Sequence, residues 1–423
     1  MRISTLLLGS AAALVGGSAF AADLPSKKSA PVEYVRVCST FGAGFFYIPG
    51  TDTCIKIGGR ARYDFGYATP FSRSDNVTGS AAVGRIYADA RNATQYGLLR
   101  AVVRFELARG TGVLRSGDIV PAGAAYGTNV RLDRAFIQFG GLTAGRTQSF
   151  FDFYAGDLEV IGTTAGDGSP HNMLAYTASF GSGFSATLAI EDGIENRGGI
   201  VAISGPALTT GGNSAPDVVA NVRMEQAWGA AQLSGAVHQV RLAGPTPTFG
   251  AAPSSDYGFA VNGGLQFNLP FSAGDQLWLQ GTYVKGNVTR LTGNGISSGA
   301  GLASFTSLVD GAVVSNGSTG KVELTSAWAL TAALLHNWTP TVSQSLFGSY
   351  AKVDVPGVTT LSNGSAYRDF TYWTVGTNVA WSPVKDFVIA GEVDYLKVEG
   401  SGAYTGKKSD DTIISRLRVQ RDF

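Results

Sequence analysis

Arginines and carboxylates recur at alternate positions along several stretches of this chain. In IKIGGRARYDFGYA, Lys56, Arg60, Arg62 and Asp64 share one parity, while Ile55, Ile57, Ala61, Tyr63, Phe65 and Tyr67 share the other. Further on, Arg85, Asp89 and Arg91 oppose Ile86, Ala88 and Ala90, and Arg100, Arg104 and Glu106 oppose Leu99, Ala101, Val103, Phe105 and Leu107. Arg134 stands in the next such stretch. Guanidinium groups stay charged at any working pH, so a wall of them carries a local positive potential whatever the net charge of the chain. Residues 148–171 supply the opposite sign, with Asp152, Asp157, Glu159 and Asp167 and no Lys or Arg. Facing each other across water, the two sets would create a transverse field, a usual source of selectivity in channels. In the plainer reading, the arginines only pair with Asp64, Asp89 and Glu106 to stiffen a wall.

Catalytic constellations are weaker. His171, His238 and His336 are far apart and form no metal-binding pair, and no glycine loop for phosphate follows a strand and opens a helix. Ser234 and His238 would share a strand face. At about 3.3 Å per residue they stand roughly 13 Å apart, too far for a nucleophile and its base, so a solvated histidine is the expectation there. A lipid hydrolase remains a formal reading, testable by Ser234→Ala. Cys38 and Cys54 are the only cysteines. In an oxidising compartment they read as a disulfide, with two buried thiols as the alternative.

Period-2 alternation is the mark of strands with one apolar face. It predicts strands at 55–68, 80–91, 98–109, 130–139, 142–147, 172–180, 184–192, 217–228, 231–242, 256–268, 276–289, 321–336, 342–353, 367–381, 386–398 and 411–423. That is about sixteen, each near the ~10 residues that a tilted strand needs to cross a bilayer. Arg or Lys at the bilayer midplane costs about 2–4 kcal/mol, so the charged parity must face water and the apolar parity lipid. Tight connections such as NATQY, LPFSAG, NWTPT and SPVK alternate with long Gly/Ser/Asn-rich ones, giving short turns at one rim and long loops at the other. Tyr96, Phe139, Phe180, Trp228, Phe267, Phe271, Trp338, Trp381, Phe387 and Phe423 all fall beside the short-turn rim, as a girdle at headgroup depth would. The closing DTIISRLRVQRDF ends in mid-pattern, which makes sense if the last strand pairs with the first.

Composition agrees with this class. The chain has 57 Gly, 23 Phe and 16 Tyr but 15 Pro and 3 Met. Residues 1–21, with Arg2, an apolar stretch and Ala19 and Ala21 before the cut, read as a signal peptide; 22–53 is a segment that the pattern does not place, and 54–423 is the barrel. Without residues 1–21 the acidic and basic groups balance, so no global field points to nucleic acid.

EYVRVCSTFGAGFFYIPGTDTCIKIGGRAR, residues 33–62, resembles the start of the mature porins of alphaproteobacteria such as Brucella and the rhizobia, both cysteines included. DRAFIQFGGLTAGRTQSFFDF is similar to their strand, turn and strand leading into the third extracellular loop, and Phe423 to the aromatic end recognised by the barrel-assembly machinery. The resemblance implies an all-β, 16-stranded antiparallel transmembrane barrel, a homotrimer, with the third loop folded into the lumen. It also implies a bacterial outer-membrane location among lipids that include lipopolysaccharide, and passive diffusion of small hydrophilic solutes and ions with no cofactor. The alternative is a barrel serving chiefly as an adhesin or envelope anchor.

Overall fold

The computed structural model describes residues 36–70, 73–115, 126–166, 168–202, 207–208, 210–243, 255–292, 309–315, 320–357, 359–360, 366–367, 369–400 and 409–423. The signal-peptide reading, residues 22–35 and Asp167 lie outside them. Sixteen long strands follow one another: β1 Cys54–Ala68, β2 Thr78–Thr94, β3 Gly97–Thr111, β4 Tyr126–Phe139, β5 Leu142–Gln148, β6 Pro170–Gly181, β7 Phe184–Glu191 and β8 Asp217–Gln226. The second half is β9 Gly229–Val240, β10 Asp256–Asn268, β11 Gln276–Lys285, β12 Ser326–Thr339, β13 Val342–Asp354, β14 Phe370–Trp381, β15 Phe387–Gly400 and β16 Ser409–Asp422. Each pairs antiparallel with the next, and β16 pairs with β1 from Arg60↔Asp422 to Ala68↔Ile414, so the sheet closes without an edge.

Gly59 marks the seam. Its N–H donates to the Phe423 carbonyl at 2.8 Å, and the Phe423 N–H donates back at 3.1 Å. A Cβ at Gly59 would stand 2.4 Å from the Phe423 ring and 2.6 Å from the Arg85 carbonyl, so only glycine fits.

The alternation holds as expected: Ile57, Tyr63, Ile86, Leu107 and Ile137 are exposed on the outer wall, while Asp64, Asp89 and Glu106 are buried inside. A second aromatic row, absent from the sequence reading, lies toward the long loops. There Phe259 meets Tyr283 at 5.9 Å, Trp328 meets Tyr350 at 5.5 Å and Trp373 meets Tyr395 at 5.1 Å between ring centres. The expected strand 321–336 is two elements. Gly320–Leu324 pairs with Gly311–Ser315 in a small separate sheet over the long-loop side, and β12 starts only at Ser326. Thr325, between them, is fully buried, its N–H donating to the Asp310 carbonyl at 2.9 Å.

The amino-terminal segment now has a place. Cys38 and Cys54 are disulfide-bonded, and Phe46–Tyr47 pairs with Ile55 and Cys54 at the short-turn rim. Lys56 and Arg91, both inward by parity, touch this segment: Lys56 lies along Gly44, and the Arg91 guanidinium sits 4.7 Å from the Phe45 ring centre. The segment therefore sits on the lumen side of β1 and β2.

Candidate functional site: the lumen and its infolded loop

The inner wall built by β16 and β1–β4 is a lattice of guanidiniums in which one carboxylate often serves two arginines. Asp64 accepts from Arg418 at 2.8 and 3.2 Å and lies 3.3 Å from Arg62. Glu106 takes Arg85 at 2.9 Å and Arg131 at 2.7 Å, and Asp89 takes Arg91 at 2.6 Å and Arg100 at 2.9 Å. Arg104 donates to Asp133, and Arg60 to Asp422 at 2.6 Å. Arg134 instead reaches Thr147 and Gln148 at 3.1 Å, and Arg416 approaches the Val160 carbonyl at 3.5 Å. Among the described residues neither has a carboxylate within ion-pair distance. Among the described side chains of this wall, ten arginines thus face five carboxylates, and the surplus is positive.

Partly exposed pairs of this kind are worth about 0–1 kcal/mol each. Their effect is positional: each shared carboxylate holds two cations at fixed points along the water path. The plainer reading of the arginines is therefore correct about pairing, yet pairing does not neutralise the wall.

Asp133 and Arg131 escaped the sequence reading. A bulge where Arg104 pairs with Arg134 and Phe105 with Leu132 adds one residue to β4, so Asp133 and Arg134 both point inward although they are adjacent. Strict alternation cannot show this. Arg416 and Arg418 were visible as the polar parity of the last stretch, and closure brings them beside Asp64.

The third long connection leaves β5 and folds across the lumen onto the opposite wall, where each strand from β8 to β15 holds it. Asn221 donates to Phe150 O at 2.7 Å, Gln232 to Asp152 O at 2.9 Å and Asn262 to Phe151 O at 3.3 Å, and Gln280 accepts from Tyr154 N–H at 2.9 Å. Thr331 donates to Ala165 O at 2.8 Å, Ser349 accepts from Ala165 N–H at 2.9 Å, and the Tyr372 hydroxyl donates to Thr163 O. Glu392 receives the N–H groups of Val160 at 2.6 Å and Ile161 at 2.5 Å. Glu392 alone among these strand residues accepts two of the loop's N–H groups, so it fastens the loop at two points at once. At Gly264 the Phe153 ring lies where a Cβ would be, at 2.1 Å.

A second anchor comes from the connection after β11, whose short helix Thr289–Thr292 drops into the mouth. Arg290 there is completely buried. It pairs with Glu191 at 2.7 Å, donates to Ser149 at 2.8 Å at the root of the infolded loop, and stacks 5.4 Å from the Phe151 ring centre. Gly166 N–H donates to Leu291 O at 2.7 Å, so both ends of the loop are tied to this helix. Beside it Asp310 accepts from Gly198 N–H at 2.5 Å and Val288 N–H at 2.9 Å, and burial pushes its carboxyl up to about 6.

The acidic residues of the loop divide. Asp157 is exposed, and Asp152 is half-buried. Both are close enough to Arg134 to interact with it electrostatically. Glu159, expected among the lumen charges, turns inward: it accepts from the N–H groups of Thr163 at 2.6 Å and Thr164 at 3.2 Å, and from the Tyr154 hydroxyl at 3.1 Å. Burial raises its pKa. Lys56 and Arg91 belong to the short-turn mouth and its disulfide-bonded segment. The expectation of a solvated His238 is corrected as well, since its ring is buried and bonded to Asp217 at 2.7 Å. Ser234 donates its hydroxyl to the Phe151 carbonyl at 2.6 Å, so it holds the infolded loop and is not bonded to His238.

A closed barrel of sixteen strands, charged within, apolar without between two aromatic rows, and narrowed by an infolded loop, is a diffusion channel of the outer membrane. The family profile described as "Porin subfamily" matches residues 23–417, and the chain belongs to that family. It is 29% identical over the full length of both chains to "Porin Omp2b" of Brucella neotomae. To that of Brucella suis biovar 1 it is 33% identical, over 67% of this chain and 74% of the relative. Among solved structures the outer-membrane channel DcaP of Acinetobacter baumannii aligns with 89% of this chain and 99% of its own, at 15% identity and TM-score 0.66. The anion-selective porin of Comamonas acidovorans aligns with 88% of this chain and all of its own, at 12% identity and TM-score 0.51. The protein is an outer-membrane porin.

Proposed function

We propose that small hydrophilic solutes pass an eyelet bounded on one side by Arg60, Arg62, Arg85, Arg104 and Arg134 and on the other by the loop carrying Asp152 and Asp157, with a preference for anions. The observation that carries this is the attachment of the loop to all of β8–β15, which leaves water against the arginine wall. Within a gap comparable to the ~8 Å screening length of physiological salt, the surplus positive charge acts on every passing ion. Cleavage of residues 1–21, assembly as a homotrimer, contact with lipopolysaccharide and recognition of Phe423 by the assembly machinery complete the reading.

Single-channel recording of the purified protein across a salt gradient tests it. The wild type is expected to open in steps with a reversal potential of anionic sign, and Arg104→Gln/Arg134→Gln to shift that potential toward cations. An unchanged potential overturns the assignment of the eyelet. A silent membrane with correctly folded protein favours the adhesin or anchoring alternative.

A further inference from the structure

Cys54 shares the parity of Lys56, Arg60 and Arg62, so its disulfide to Cys38 is made inside the lumen. Cys54 is the register partner of Arg91 on β2, Arg91 of Arg100 on β3, and Arg100 of Gln138 on β4, which together make one level of the inner wall. Residues 38–45 cover the first half of that level. The Arg91 guanidinium lies 4.7 Å from the Phe45 ring centre, and the Lys56 stem runs so close to Gly44 that a Cβ there would stand 3.3 Å from its Cε. Tyr47 and Phe46 pair with Cys54 and Ile55 on the margin of β1 that β16 leaves unpaired.

This level lies below the eyelet. Arg104 and Arg134 are register partners in the eyelet, and Arg100 is four residues nearer the short turns than Arg104. At about 3.3 Å per residue and a tilt near 40°, the two levels are roughly 10 Å apart along the bore. A layer of chain packed on a sheet stands about 10 Å from it, so the segment takes about that much from the opening on one side. This narrowing is separate from the infolded loop.

The fastening is chiefly covalent. The core of the segment, among the described residues, is Cys38, Phe45 and Cys54, with Phe41 and Tyr47 packed against it. So few buried side chains do not keep a short chain folded without a staple, and the disulfide supplies one across 16 positions. The cations beneath differ in state. Arg91 is bonded to Asp89, which Arg100 shares, whereas Lys56 has no carboxylate within ion-pair distance among the described residues. An ammonium without a counter-charge is thus partly covered by the stapled chain.

We propose that residues 37–53 form a second constriction at the short-turn mouth, in series with the eyelet, and that the disulfide keeps them over Lys56. The proposal rests on the lumen being the solute path. Releasing the staple widens the mouth and bares a cation, so conductance and anion preference rise together. Widening alone would weaken the preference.

Single-channel recording of the intact protein across a salt gradient tests this with two opposite changes. Cys38→Ser/Cys54→Ser removes the staple, and Ser39→Trp/Thr40→Trp adds bulk at two exposed positions of the segment. Heat-dependent gel mobility first verifies that each barrel has closed; the Trp variant keeps the staple and carries the test where the Ser variant does not fold. Resistances in series add, so the Ser variant is expected to conduct roughly 1.5-fold more than wild type, with a more anionic reversal potential. The Trp variant is expected to conduct less than wild type. A Ser variant that melts earlier yet conducts as wild type would make the disulfide a stabiliser only and overturn the proposal, as would a Trp variant with unaltered current. If the wild type conducts with anionic sign and both variants match it, the second constriction alone is lost. A silent wild type removes the diffusion reading and this proposal with it.

Discussion

At the scale of the residue, the arginine wall is held by carboxylates that are shared. Asp89 and Glu106 each hold two guanidiniums within 3 Å, so removing one carboxylate would release two cations at once. Asp310 illustrates a different dependence. Its carboxyl is pushed up to about 6 by burial, from an ordinary value of 3.8. Between those values the folded state binds the proton more tightly than the unfolded chain. Stability from this group is present at low pH and is lost as pH rises through about 6. The thermal midpoint, followed by the loss of heat-resistant gel mobility, should therefore fall between pH 4 and pH 7 by more in the wild type than in Asp310→Asn. Equal slopes would remove Asp310 from the account. Parity showed which arginines face water, because lipid forbids them the other face. It could not show Asp133, because a bulge breaks the period, nor the inward turn of Glu159, which depends on Thr163, Thr164 and Tyr154 folding around it.

At the scale of the element, the constriction is set by fastening. The infolded loop has apolar stretches of its own, yet its position follows from single polar groups on eight strands and from the helix that carries Arg290. Breaking a buried ion pair by removing one partner costs about 3–5 kcal/mol, because a charge remains buried alone. Arg290→Met should accordingly free the root of the loop at Ser149 and give a larger, noisier single-channel current. Arg290→Met/Glu191→Gln should be quieter than the single variant because the Glu191 charge goes with its partner, leaving only Asp217, 3.7 Å from Arg290 and already bonded to His238. Current traces identical to wild type in both would show that Arg290 does not position the loop. The strands were legible in the sequence, with ends displaced by only a few residues, because one face in lipid and one in water enforce a period of two. Anchors such as Glu392 and Arg290 were not, since they act across more than a hundred residues of chain on a loop with no periodicity.

At the scale of the whole molecule, everything rests on a closed ring whose seam lies at Gly59 and Phe423. Gly59→Val is expected to prevent closure, and the protein should migrate in unheated gels as an unfolded chain. Gly84→Val is the control, since its Cβ would meet nothing within 4 Å and should leave the folded band intact. A folded Gly59→Val band would show that the seam tolerates a side chain. Closure was itself readable from the alternating terminal stretch, whereas the crowding at its join required the third dimension. The partner that β1 needs on its free side is β16, which spans Ser409–Asp422. A ribosome therefore makes the opening strand some 350 residues before the one that completes it. Until that last strand is present, a sheet begun at β1 has two unsatisfied margins and no bore. A polypeptide truncated within its last dozen residues would lack the strand that completes the ring, and would form no narrower or leakier conduit in its place.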